Sequence, residues 1–378
     1  MLLDPRMSRH AFWISTVFFA ALVLTKCNPT SGFTSLIRFG EKWQDRRHSA
    51  LQNLSIATVP DSSGYDGQFY AQIAMDPLLR SPELAQALDL PAYRARRILV
   101  PAAAAILGLG NPRWTLQAYA LLNVFCWFAL GWLLRRHIDG SDWLAFARWA
   151  GCMFSMGVLD SVRQSLVDLP ALLLLGLAVH AYTHGNTRRS TLWLALANLA
   201  KETSLLGAVA LHCDKPQNLF PWKRALLSLT LAVLPLGLWS LYVAQRFPGL
   251  PDNSGLGNLT WPLLGLLTQV KLALRELSLG SFDGRYSFSL LAIGGLLVQF
   301  WILWRSPQPQ SAWWRIGAIY SLLLFFLSFW VWSGYWAACR AVLPMTLAFN
   351  LLLPANRSFW PLWIVGNITL LHAVWRFL

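Results

Sequence analysis

About ten apolar segments follow one another along this chain of 378 residues, at 11–25, 98–110, 115–134, 143–158, 169–184, 190–213, 225–245, 286–304, 316–333, 336–353 and 359–376. A series of that kind leaves few folds open. Lipid tolerates only structures whose backbone polar groups are satisfied internally, and runs of this length do so as helices. The expectation is an all-α polytopic membrane protein, a single integral domain over 1–378 with some half-length helices. Composition agrees: 56% of residues are hydrophobic and only 13% charged. The net charge of +14 would point a soluble protein toward nucleic acid. Here the basic residues sit in short loops between apolar runs, where positive-inside topology and anionic headgroups place them, so the expected partner is the bilayer and no nucleic acid.

The five cysteines show no CxxC and no histidine at ligand spacing, which argues against a metal or disulfide framework. No cofactor motif is present; a divalent metal is not indicated. Arg6 and Arg9 precede the first apolar run, and no small-residue cleavage site follows it, so 11–25 reads as an uncleaved first span. Residues 26–96 then form a long first outer loop, 98–246 the central helices, 247–285 a second outer loop and 286–378 the C-terminal helices. The positive-inside rule tests this map. It puts Arg135-Arg136, Arg188-Arg189, Lys223-Arg224, Arg305, Arg315 and Arg357 in the cytoplasm, provided that 98–134 crosses once and 190–213 is a pair of half-helices. The polar stretches at 64–77, Asp160–Asp168, Lys201-Glu202, 247–285 and Tyr335–Arg340 then share the outer side.

The first outer loop carries Gly64-Tyr-Asp-Gly-Gln-Phe-Tyr-Ala-Gln-Ile-Ala-Met-Asp-Pro77. Its two early glycines allow a tight turn before a helix. Tyr65, Phe69 and Ile73 recur at helical spacing, an apolar stripe for the bilayer surface or the bundle. Asp66 falls at the helix start as an N-cap, where a carboxylate is held ionised and suited to deprotonating a hydroxyl. A second amphipathic piece is expected at 81–90. Arg94, Arg96 and Arg97 can neutralise a phosphate or snorkel to headgroups. Asp160, Arg163 and Asp168 mark a polar loop between two helices. Lys201 and Glu202 interrupt an apolar run, where lipid exposure would cost ~3 kcal/mol each. Adjacent helical residues point ~100° apart, so these two predict a helix break facing a cavity. Tyr335 and Arg340 serve either as interface anchors or as members of the same site.

The "YDGQFY" motif in the first outer loop, the "YRARRILVP" approach to the next helix, and a later span broken by charges together resemble the GT-C superfamily of polytopic glycosyltransferases. The likeness is to the mannosyltransferases of GPI-anchor synthesis and to their bacterial relatives. It covers roughly 11–213 and, more weakly, Tyr335 to Pro344. The resemblance implies inverting transfer of a sugar from a polyprenyl-phosphate donor to an acceptor hydroxyl on the outer face of a membrane, expected to be a bacterial inner membrane. Asp66 would be the general base. Tyr65, Gln68, Tyr70, Asp76, Arg94, Arg96, Arg97, Asp160, Arg163, Asp168, Lys201, Glu202, Tyr335 and Arg340 would bind substrate. Asp160…Asp168 and Lys201-Glu202 depart from the family's usual outer motif and Arg-Pro break, so donor and acceptor identity do not carry over. The competing reading is a transporter or flippase for a lipid-linked or anionic substrate, with Lys201-Glu202 at its midplane.

Overall fold

The computed structural model describes residues 5–138, 140, 142–212, 221–249, 255–280 and 283–378. Cys213, Lys215 and parts of the second polar stretch (250–254, 281–282) lie outside the described residues. Helix α1 (Pro5–Leu24) leads into the long polar segment. That segment folds as a compact cap rather than as a surface ribbon. Two short strands pair in parallel, β1 (Phe39–Gly40) with β2 (Thr58–Val59), and four short helices surround them: α2 (Ser49–Gln52), α3 (Gly67–Ile73), α4 (Leu84–Ala87) and α5 (Pro91–Ala95). Ile37, Phe39, Leu51, Phe69, Tyr70, Ile73 and Leu84 give the cap its own apolar core.

The motif helix α3 is buried at all seven of its residues, so its apolar stripe lies on the bundle and not on the bilayer surface. One expectation is corrected: the helical part of the amphipathic piece at 81–90 is a single turn, Leu84–Ala87, which buries Leu84 and Ala87 and leaves Gln86 exposed.

The cap rests on α6 (Leu99–Leu107) and α7 (Pro112–His137). Helix α6 has nine residues, too short to cross lipid and ended at Gly108, where Thr115 stands in the space a side chain would need. The bundle continues through α8 (Trp143–Met153), α9 (Met156–Arg163), α10 (Asp168–Thr183), α11 (Thr187–Ala200), α12 (Leu205–His212), α13 (Pro221–Arg246), α14 (Leu264–Ser278), α15 (Gly284–Arg305), α16 (Ala312–Phe326), α17 (Phe329–Ser333), α18 (Tyr335–Ala341), α19 (Leu343–Leu352), α20 (Phe359–Gly366) and α21 (Leu370–Phe377). Among the described residues three helices are long and apolar enough to cross a membrane: α7, residues 225–246 of α13, and α15. Leu227, Leu231, Leu234, Leu238 and Leu241 form an exposed row at helical spacing along α13, a surface suited to lipid rather than water.

Of the remaining apolar segments, 11–25 and 169–184 lie in single helices, α1 and α10, and several others are broken. The expected span 316–333 divides at Leu327, 336–353 at Val342, and 359–376 at Asn367–Thr369. Within 247–285, expected as an outer loop, α14 is a helix of 15 residues that buries Gly265, Leu266, Gln269 and Ala273 against its neighbours. The break expected at Lys201-Glu202 is present: α11 stops at Ala200, Lys201 is extended (φ −157°, ψ 122°), and a tight turn leads into α12.

The bundle has two chemically distinct ends. Helix α10 starts at Asp168 and finishes beside His137, whose Nε2 lies 3.3 Å from His180 Nδ1. The Arg315 guanidinium lies over Tyr182 at that same end. At 1.5 Å per residue, Asp168 and Tyr182 are roughly 20 Å apart. Arg135, Arg136 and Arg315 thus gather at one end; the other, the acidic end, holds Asp66, Asp160, Asp168 and Glu202 among the arginines and the lysine that pair with them.

Candidate functional site

At the acidic end, stretches far apart in sequence meet through charged side chains. The motif enters through close backbone contact. Gly67 packs so tightly that an added Cβ would stand 2.1 Å from the Gln164 carbonyl oxygen and 3.0 Å from that of Ile37. Gly64, with φ +70°, lies against the backbone of Gly40 and Arg38. These contacts lock the motif between the first polar segment and the α9–α10 turn, and they fix where Tyr65 and Asp66 point.

Asp66 occupies the N-cap position of α3, but its side chain makes no capping bond. The expectation of an N-cap carboxylate is corrected. Arg94 Nη2 donates to Asp66 Oδ1 at 2.9 Å, and Asp89 holds the same guanidinium through two bonds, Nε to Oδ1 at 2.9 Å and Nη2 to Oδ2 at 2.7 Å. Burial raises the Asp66 pKa; the Arg94 and Arg340 guanidinium groups outweigh it, and the carboxyl ends below its ordinary value. The Asp66 side chain is 34% exposed and forms the open edge of the cluster.

Arg97 reaches the helix break. Its Nε and Nη2 grip Glu202 at 2.8 and 2.5 Å, its Nη1 donates to the Tyr70 hydroxyl at 2.7 Å, and Nη2 also bonds Tyr93. The second polar stretch joins here too, as Asn258 Nδ2 donates to the Tyr93 hydroxyl at 3.2 Å.

A second layer lies beneath. Lys201 Nζ donates to Asp168 Oδ1 at 2.6 Å, and Arg340 Nη1 to Asp168 Oδ2 at 3.1 Å. Arg340 also donates from Nη2 to the Tyr65 hydroxyl at 2.7 Å, and its Nε lies 3.2 Å from Asp160 Oδ2. Gln164 Nε2 bonds the other Asp160 oxygen at 2.6 Å, with Arg376 at 3.7 Å from it. Trp336 Nε1 donates to the Tyr65 hydroxyl at 3.0 Å. Burial is the largest influence on that phenol, which is pushed up to about 12, so Tyr65 stays protonated at neutral pH. Separately buried charges would each cost several kcal/mol, and the pairing is what makes the layer tenable.

A small cleft opens on this layer, lined by Asp168, Lys201 and Arg340 together with Leu172, Leu175 and Leu343. Lys201 thus faces a cavity with Asp168, as the sequence predicts, while Glu202 turns to Arg97.

Of the expected site residues, Tyr65, Asp66, Tyr70, Arg94, Arg97, Asp160, Asp168, Lys201, Glu202 and Arg340 are assembled in this network. Tyr335 borders it, its hydroxyl 2.6 Å from His372 Nε2. Gln68 and Asp76 lie outside and have structural partners. Gln68 accepts from the Gly40 N–H at 3.0 Å and donates to the Ser63 carbonyl at 2.6 Å, and Asp76 accepts from the Ser81 N–H at 2.6 Å. Arg96 is half-buried at the C-cap of α5. Arg163 is half-buried beside the lower layer. Four contributors were missed in the sequence: Arg38, Asp89, Tyr93 and Arg376. Arg376, a charge inside an apolar run, carried the signal that should have marked it.

The arrangement can hold an anion, orient hydroxyl groups, and offer one partly exposed carboxylate to a proton. Compared with family models, with curated proteins and with solved structures, the chain gave no match.

Proposed function

We propose that this chain is an integral-membrane glycosyltransferase of GT-C type. It moves a sugar from a polyprenyl-phosphate donor to an acceptor hydroxyl at the acidic end of the bundle, on the non-cytoplasmic face, with inversion. The observation that carries the reading is the partly exposed Asp66 carboxylate at the edge of a cluster whose lower layer lines a small cleft with both cationic and leucine side chains. The cationic side chains suit the phosphate at the head of a lipid donor, and the leucines suit the first carbons behind it. Asp66 is the base. While paired to Arg94 it is a weak one, but Arg94 keeps both bonds to Asp89 if Asp66 lets go. A donor phosphate that attracts Arg94 therefore raises the basicity of Asp66 as the hydroxyl arrives, and a positioned base is worth ~10²–10⁴-fold.

The break at Lys201 is also a device of transporters that bind anions at half-helix ends, so the test must separate transfer from transport. Purified protein in proteoliposomes, given polyprenyl-phosphate hexoses and hydroxyl acceptors, should release polyprenyl phosphate. Asp66→Asn should stop release while leaving the elution volume unchanged and lowering Tm only by the small amount that one partly exposed ion pair is worth. Release by Asp66→Asn at the wild-type rate removes Asp66 as base. Passage of the intact lipid between leaflets without cleavage overturns the reading in favour of transport.

A further inference from the structure

The charge count at the acidic end does not close. Lys26, Arg38, Arg94, Arg97, Arg163, Lys201, Arg340 and Arg376 are eight cations, against five carboxylates, Asp66, Asp89, Asp160, Asp168 and Glu202. The excess is three positive charges, and it is localised; Lys26, which is held by the Leu378 main-chain oxygen at 2.7 Å, borders it. Arg94, Arg97, Lys201 and Arg340 each hold a carboxylate at 3.2 Å or closer. Arg38 and Arg163 have no ion pair or side-chain hydrogen bond among the described residues, and the one carboxylate that Arg376 approaches among them is Asp160, at 3.7 Å, while its guanidinium lies over the Trp336 ring and its Nη1 is 4.0 Å from Met156 Sδ.

Three elements bring this trio together. Asp160 and Arg163 are three residues apart on α9 and share its face, against which α21 sets Arg376. The backbone carrying Arg38 is pressed onto the α9–α10 turn through Gly67, whose absent Cβ would touch both Gln164 and Ile37. Arg38 itself stands in the left-handed region, φ +59°, a conformation that a non-glycine residue holds only when its surroundings enforce it. The like charges feel one another. Burial first, then Arg38 and Arg376, push Arg163 down to about 10. Burial lowers Arg38 as well, with Arg376 adding to the effect and Asp160 opposing it.

We propose that Arg38, Arg163 and Arg376 form a binding site for a dianionic phosphate monoester, beside the charge cluster. A monoester carries close to two negative charges above pH 7 and neutralises most of the excess; a diester carries one and leaves the site further from neutral. The inference deepens the transfer reading and rests on it for the lipid's role alone. Loss of the sugar converts a polyprenyl-phosphate diester into a monoester, so a site that prefers the dianion stabilises the leaving group more than the donor. The site itself is tested by binding, without any transfer.

Full-length protein in neutral detergent at pH 8 is titrated with dodecyl phosphate, with its singly charged methyl diester and with inorganic phosphate, following Tm. Dodecyl phosphate should stabilise at concentrations at which the diester does not. Inorganic phosphate acting equally well assigns the site to a free anion, and dodecyl phosphate acting alone assigns it to a lipid headgroup; either supports the site. Arg163→Gln removes a repelled charge that has no partner to lose. It should therefore raise the ligand-free Tm while weakening dodecyl phosphate binding roughly tenfold or more. Arg38→Gln serves as the second variant and should weaken binding in the same way. Equal stabilisation by monoester and diester, no stabilisation by dodecyl phosphate or by inorganic phosphate, or unchanged affinity in both variants overturns the proposal.

Discussion

The grip of Arg97 on Glu202 joins the cap to the broken helix across 105 residues of sequence, and its removal has a calculable cost. Arg97 is buried, with 9% of its side chain exposed. In Glu202→Ala it keeps the Tyr70 and Tyr93 hydroxyls but no counter-charge. An uncompensated buried cation costs ~3–5 kcal/mol. Unfolding entropy of ~2.1 cal/mol/K per residue over a chain of this length gives ~0.8 kcal/mol per degree, so Tm should fall by about 4–6 °C. Arg97→Ala should cost less, because the Glu202 carboxylate it strands is 27% exposed and retains water. The double variant should be less destabilised than the sum of the singles, by about 1–3 kcal/mol, the coupling expected of contacting residues. Thermal unfolding in detergent, read by intrinsic tryptophan fluorescence, measures all four proteins. Additivity within about 0.5 kcal/mol would show that the two side chains act independently, and the argued link between cap and helix break would fail.

Gly67→Ala should prevent folding or cost more than any cluster charge, because the atom it meets is a backbone carbonyl at 2.1 Å; Gly237→Ala, with open space around it in α13, should be neutral or stabilising by up to ~1 kcal/mol. Yield of monodisperse protein and Tm separate the two. Single cysteines at Ser63 and Leu256, both exposed, should react with an impermeant thiol reagent added outside intact cells; reaction only after the membrane is opened would invert the proposed sidedness. The pairing of Asp66 depresses its folded pKa below the unfolded 3.8, so its contribution to stability is present above that pH and is lost as pH falls through the folded value. The Tm difference between wild type and Asp66→Asn should accordingly shrink on going from pH 6 toward pH 3; a difference constant over that range contradicts the pairing.

Charges inside apolar runs were the most legible part of the chain. Lys201 and Glu202 announced a break because two adjacent helical residues cannot share a face, and the backbone opens between them. The gathering of Asp66, Asp168, Lys201 and Arg340 was legible from the alternation of basic loops with polar ones. The identity of each partner was not. Asp66 looked like an N-cap because of its position before α3, yet Arg94, 28 residues away, takes its carboxylate. Long-range pairing of that kind leaves no local trace. Gln68 and Asp76 misled for the opposite reason: they are polar residues inside a motif, and their partners are backbone atoms a few residues off or on β1. Periodicity also overstated helix length. The segments 316–333, 336–353 and 359–376 keep their apolar character across breaks at Leu327, Val342 and Asn367, because both halves carry apolar side chains and hydropathy cannot register a change of direction.

Those breaks and the site are one feature seen from two sides. A helix that stops inside an apolar bundle leaves carbonyl groups without partners, and each must be satisfied by a side chain. The bundle supplies them at the acidic end: Tyr320 donates to the Thr203 carbonyl at 2.7 Å, Tyr119 to that of Ser165 at 2.7 Å, and Asn123 to that of Leu166 at 2.8 Å. With the backbone so satisfied, the residues at the breaks are free to project charge into the space between half-helices. An unbroken helix would have directed Lys201 and Glu202 to different faces. The turn instead sends Lys201 to Asp168 and Glu202 to Arg97, one into each layer. The short α6 does the same for the cap, because its start just beyond Arg97 sets that side chain at the level of the break. Restoring helical continuity at 200–204 would therefore remove two of the cluster's ion pairs without touching their partners, and the charge left on Arg97 and Asp168 would have to find water or unfold the end of the bundle.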